Sequence, residues 1–64
     1  MVEVLISDLT SKMIKTFVLK EYGPGIQVIR WDLMDSYGNK VNPGVYFCRI
    51  NYGNDSEMHK MIVQ

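Results

Sequence analysis

The sequence has little of what usually stabilises a small chain or makes it reactive. Cys48 is its one cysteine, so no disulfide can close within it. His59 is its one histidine, and no Cys/His group has the spacing of a zinc site. A chain of about 60 residues buries only about 60% of its unfolded surface. Without a disulfide or a structural metal, the remaining support is contact with more protein, either a partner chain or more of a parent chain. Charge of either sign is also lacking in excess. Seven Lys and Arg balance seven Asp and Glu, for a formal net charge of zero. A neutral chain sets up no broad field to draw in nucleic acid or an anionic membrane. No apolar run approaches the roughly 18 residues of a membrane-spanning helix. The opening MVEVLISD carries an acid where a secretory leader carries a basic segment, and it lacks a small-residue cleavage site. It is not a signal peptide, and an exported parent would carry its signal upstream.

What is present is alternation. Val2, Val4 and Ile6 share one face of a first strand that ends at Ser7 and Asp8. Residues Lys12 to Lys20 read as a second strand, with Ile14, Thr16 and Val18 opposite Met13, Phe17 and Leu19. A helix is the rival there, and the crowding of Ile, Thr, Phe and Val disfavours it. Tyr22 to Gly25 is a turn by composition, and Ile26 to Trp31 reads as a third strand. Asp32 to Pro43 reads as a loop rich in turn formers, with Val41 plugging into the core. Val45 to Tyr52 and Glu57 to Val63 read as two further strands, joined by a turn over Gly53, Asn54, Asp55 and Ser56. Five short strands in this length imply an all-β chain, one domain over residues 1–64, built as a sandwich or barrel.

The chemistry-bearing residues do not assemble into a catalytic set. Cys48 alternates with Tyr46 and Ile50 on an apolar face, and its one candidate base, His59, lies on another strand; an inert buried thiol is the better reading. No G-x-S-x-G elbow is present. Asp32, Asp35 and Asn39 are candidate oxygen ligands for a hard cation. Their spacing is not that of an EF-hand, and Asp and Asn also close turns with their own side chains. No metal and no cofactor is therefore expected. Lys12, Lys15, Lys20, His59 and Lys60 could form a basic stripe, but Glu3, Glu21 and Glu57 intersperse it. Trp31, in phase with Ile29, reads as core. Gly25, Gly38, Gly44 and Gly53 are separate turn glycines rather than a phosphate-binding loop. Phe47, Arg49 and Asn51 point away from the core set, and an aromatic beside an arginine is a reasonable contact point for a protein partner.

Order and spacing add a resemblance over essentially the whole chain. Val2-x-Val4-x-Ile6-x-Asp8-Leu9-x-Ser11-Lys12-x-Ile14-x-Thr16-Phe17 resembles the "V-x-I-x-I-Y-D-L-x-G-R-x-V-x-T-L" opening of FlgD-type Ig-like domains. After Pro24 and Gly25 come Trp31-Asp32-x-x-Asp35-x-x-Gly38-x-x-Val41-x-Pro43-Gly44-Val45-Tyr46, similar to the family's "W-D-G-R-D-x-x-G-x-x-V-x-x-G-x-Y". Lys60, Met61, Ile62 and Val63 resemble the ending of C-terminal sorting domains recognised by the type IX secretion system. Ser7 stands where the pattern has tyrosine, and Ser11 and Leu33 where it has glycine.

The resemblance implies an immunoglobulin-like (fibronectin III-like) antiparallel β-sandwich. An earlier strand, usual in the family, does not precede Val2, so an open sheet edge and self-association are expected. It also implies a non-catalytic module at the C-terminal end of a larger exported bacterial protein, secreted or at the cell surface. Its partner would be secretion machinery or a scaffold protein, with Phe47, Arg49, Lys60, Met61, Ile62 and Val63 as contacts and neither nucleic acid nor membrane insertion involved. Two alternatives stand beside it. One is an assembly domain like that of the flagellar hook-capping protein. The other is a carbohydrate or adhesin module using Tyr22, Tyr37 and Tyr52 as stacking rings.

Overall fold

The computed structural model describes residues 2–19 and 30–64. Within them the chain forms one four-stranded antiparallel sheet: β1 (Val2–Asp8), β2 (Met13–Leu19), β3 (Gly44–Tyr52) and β4 (Asp55–Val63). The spatial order is β2-β1-β3-β4, so β2 and β4 are the outer strands. The all-β expectation holds, with one sheet visible rather than two. Of the strand expected over Ile26 to Trp31, residues 26–29 lie outside the described residues, and Arg30 and Trp31 belong to no strand. The turn expected at Tyr22 to Gly25 also lies outside them.

Alternation sets the two faces. Val2, Val4 and Ile6 on β1 lie beside Tyr46, Cys48 and Ile50 on β3. These six, with Val63 of β4, are the buried core, and Val4 is completely shielded from solvent. Removing such apolar surface from water is the main favourable term available to a chain without cross-links. Phe17 and Leu19 of β2 face Val4 and Val2 and pack against the same core.

Strand β2 departs from the expected alternation. Ile6 pairs with Lys15 but Ser7 pairs with Met13, so Ile14 is an extra residue, a β-bulge. The bulge reverses the side-chain phase. Ile14 joins Phe17 and Leu19 against the core, while Met13 turns to the opposite face, exposed. Thr16 and Val18 keep the outward phase and are exposed.

The β3–β4 hairpin is tighter than expected. Tyr52 pairs with Asp55, which leaves Gly53 and Asn54 as a two-residue turn. Gly53 has φ +62° and Asn54 has no positive φ, the pattern of a type II′ turn with glycine first.

Residues 30–43 form a clasp across the core face. Trp31 packs edge-on to Tyr46, with ring centroids 5.6 Å apart and planes at 66°. Its indole Nε1–H donates to the Met34 carbonyl at 2.9 Å. The Tyr46 hydroxyl donates to the Asn42 carbonyl at 2.6 Å. Tyr46 thus holds both ends of the clasp. Leu33 and Val41, joined by an N–H···O bond of 2.9 Å from Val41 to Leu33, pack against the core, as expected of Val41.

Candidate interaction surface

Two turns of the chain are built alike. In the first, Asp8 Oδ1 accepts from the Thr10 N–H at 2.8 Å, the Thr10 hydroxyl at 2.7 Å and the Lys12 N–H at 3.0 Å. In the second, Asp35 Oδ1 accepts from the Tyr37 and Asn39 N–H groups, both at 2.9 Å. The backbone repeats as well. The Asp8 N–H donates to the Lys12 carbonyl and the Asp35 N–H to that of Asn39; the Ser11 N–H returns to Asp8 and the Gly38 N–H to Asp35. Ser11 (φ +70°) and Gly38 (φ +83°) hold the same left-handed position. This is a three-residue hairpin loop, a type I turn closed by a left-handed residue, with an Asx cap.

The hydrogen bonds assign the loop carboxylates to structure. Besides Asp35 in its turn, Asp32 Oδ1 accepts the Met34 N–H at 3.0 Å and meets Lys15 Nζ at 3.2 Å. The Met34 amide, then Lys15, hold the Asp32 carboxyl below its ordinary pKa. The Thr10 hydroxyl, followed by the Lys12 and Thr10 amides, does the same for Asp8. Asn39 meets Asp35 through its backbone, its N–H donating to Asp35 Oδ1 and its carbonyl accepting from the Asp35 N–H. Among the described residues no three His, Cys, Asp or Glu side chains gather as metal ligands.

Register brings Cys48 and His59 directly opposite one another on one face, a proximity that separate strands in the sequence do not reveal. The pair still does not form a thiolate dyad. The His59 ring lies 3.3 Å from Glu57 Oε2, no hydrogen bond joins it to the thiol among the described residues, and burial pushes the Cys48 thiol up in pKa. Nucleophilic cysteine needs the opposite shift.

The face turned away from the core carries the interaction candidates. Across the sheet it reads Met13, Ser7, Phe47 and Lys60 in one row, and Thr16, Leu5, Arg49 and Met58 in the next. Ile62 beside Val45 extends it at one end. At the other, Asn51 Nδ2 donates to Glu3 Oε1 at 3.3 Å. Phe47, expected to be exposed, is half-buried beneath this surface, whereas Arg49 is exposed. Ile62 is 69% exposed, Met58 52% and Val18 50%. So Phe47, Arg49, Lys60 and Ile62 share one face. Met61 and Val63 do not: Val63 is buried in the core and Met61 packs against it, since alternation sends neighbours on a strand to opposite sides.

Of the proposed stacking tyrosines, Tyr37 sits at a turn tip and is 90% exposed, while Tyr52 packs against the core with its hydroxyl 3.0 Å from Glu57. Tyr22, Gly25 and Lys20 lie outside the described residues. Lys15 pairs with Asp32 and His59 with Glu57, so the basic stripe is broken by acids. No helix among the described residues is long and apolar enough to cross a membrane. Comparison with known proteins finds no matching family model, curated protein or solved structure.

Proposed function

We propose that the chain is a non-catalytic Ig-like module that serves the sorting or surface attachment of a larger exported bacterial protein. It would act through the contacts its sheet makes. The observation that carries this reading is backbone conformation at the residues of the resemblance. Ser11 and Leu33 stand where the FlgD-type pattern has glycine, and they are the two non-glycine positions with positive φ, +70° and +64°, among the described residues. Left-handed backbone costs about 1–2 kcal/mol for residues other than glycine, so a pattern with glycine at those places fits this backbone. Gly38, at a glycine of the same pattern, has φ +83°. The order of strand, turn, strand, clasp, strand, hairpin, strand also suits the pattern.

Sheet contacts are the means because the open face and the edge of β4 are where the described residues still offer apolar side chains and unpaired backbone. The test is a fusion of residues 1–64 behind a signal peptide and a reporter, in a bacterium with a type IX system. Reporter at the cell surface or in the medium is the expected result. Reporter held in the periplasm overturns the sorting reading.

A scaffold role like that of the hook-capping protein rests on the same contacts and would survive that negative result. The carbohydrate reading now rests on Tyr37 alone among the described tyrosines, one exposed ring at a loop tip. A glycan array without signal for the intact chain would remove it.

A further inference from the structure

We propose that a second copy of this chain pairs with the outer edge of β4, antiparallel, about a two-fold axis through Met58. The inference deepens the reading above and rests on the chain acting through sheet contacts.

Strand β4 is a regular edge. All nine of its residues pair in register with β3, with no bulge and no proline. Tyr52 and Asp55 close a two-residue turn, so they exchange both backbone hydrogen bonds, and the pattern then alternates along the hairpin. Asp55, Glu57, His59, Met61 and Val63 therefore turn their N–H and C=O groups towards β3. Ser56, Met58, Lys60 and Ile62 turn theirs outwards, where no strand meets them among the described residues. A partner strand must align its own outward groups with these.

Side-chain pairing selects the partner and the register. Centred on Met58, a second β4 sets Met58 beside Met58 and Ser56 beside Lys60. On the core-side face it sets Glu57 beside His59 of the other copy, twice. Each Glu57 already lies 3.3 Å from its own His59, so the four side chains alternate acid and base around the axis. The neighbouring centres are worse. One residue earlier opposes Glu57 to Glu57, one later sets Glu57 beside Met61 and loses the acid–base pairs, and two later opposes Lys60 to Lys60. Like charges directly opposite across a sheet are unfavourable. The Met58 register also makes the two exposed apolar faces continuous, since Met58 lies in the row of Leu5 and Arg49.

The test uses the intact chain. Sedimentation equilibrium of the wild type up to about 1 mM should show a reversible dimer; a monomer at that concentration overturns the proposal. Met58→Lys, at an exposed site where folding should survive, should weaken association at least about tenfold, whereas Val18→Lys on β2 should not. Under diamide, Met58→Cys should cross-link into a covalent dimer. Directly opposed residues lie about 5.5 Å apart at Cα, within disulfide reach. Val18→Cys, equally exposed on the other edge, should stay monomeric. A dimer indifferent to Met58→Lys, or cross-linking equally at both cysteines, overturns the β4 pairing. None of these outcomes bears on where the fusion reporter is delivered, so this proposal can fail while the sorting reading stands.

Discussion

The two outer strands of the sheet meet solvent in different ways. Strand β2 is bulged at Ile14, carries Lys15 with its side chain on the core-facing side, and lies under the clasp. There the Ser36 N–H and hydroxyl both donate to the Ile14 carbonyl, at 3.0 and 3.2 Å, and Asp32 takes the Lys15 ammonium. A bulge, an inward charge and a covering loop are three of the means by which proteins keep sheet edges from pairing. Among the described residues strand β4 has neither bulge nor covering loop; its nine residues run in unbroken register, and its restraint is charge, with Glu57 on the core-facing side. In so small a chain this asymmetry has a plain consequence. Among the described residues, one edge is covered by the chain's own loop and the other by none.

The largest way to break that difference is to unfasten the clasp. Trp31→Ala removes the ring that meets Tyr46 and the indole bond to Met34, and should cost about 3 kcal/mol in urea unfolding. It should also raise association, because it uncovers β2. Tyr46→Phe releases only the Asn42 end of the clasp. Its expected cost is about 1 kcal/mol by the same measurement, with association unchanged.

Ser11→Gly acts on the β2 side alone. It relieves left-handed strain in the loop leading into β2 and should add about 1 kcal/mol, or roughly 4–8 °C in Tm, without touching β4. The smallest effect is the acid response. Asp8, Asp32 and Glu57 all have folded pKa values below their ordinary 3.8, 3.8 and 4.5; for Glu57 the hydrogen bond with His59, then that from Tyr52, is the cause. Their contribution is fully present above those ordinary values and is lost as pH falls through the lower folded ones. Tm should thus be level in carboxylate-linked stability above about pH 5 and fall below about pH 4. Asp8→Asn should make that fall shallower.

Much of the fold was legible because alternation is a local signal. Val2, Val4 and Ile6, and Tyr46, Cys48 and Ile50, fell on the core face as their period of two requires. The phase reversal at Ile14 was not legible. A bulge is a property of the pairing between strands, and nothing in Met13-Ile14-Lys15 marks the extra residue. The same limit hid the apposition of Cys48 and His59, which depends on register, whereas the parting of Met61 and Val63 from Lys60 and Ile62 follows from alternation along one strand. The paired turns could have been found. Asp8 with Ser11 and Asp35 with Gly38 are each an Asx-forming residue three before a left-handed one, but serine at the first disguised it.

Amide hydrogen exchange along β4, measured from micromolar to near-millimolar protein, tests the unequal edges most directly. The outward amides of Ser56, Met58 and Lys60 should exchange freely when dilute and become protected together as concentration rises. The exposed amides of β2 should keep a constant rate. Rates along β4 that do not change with concentration, or protection that grows on β2 instead, would contradict the β4 pairing.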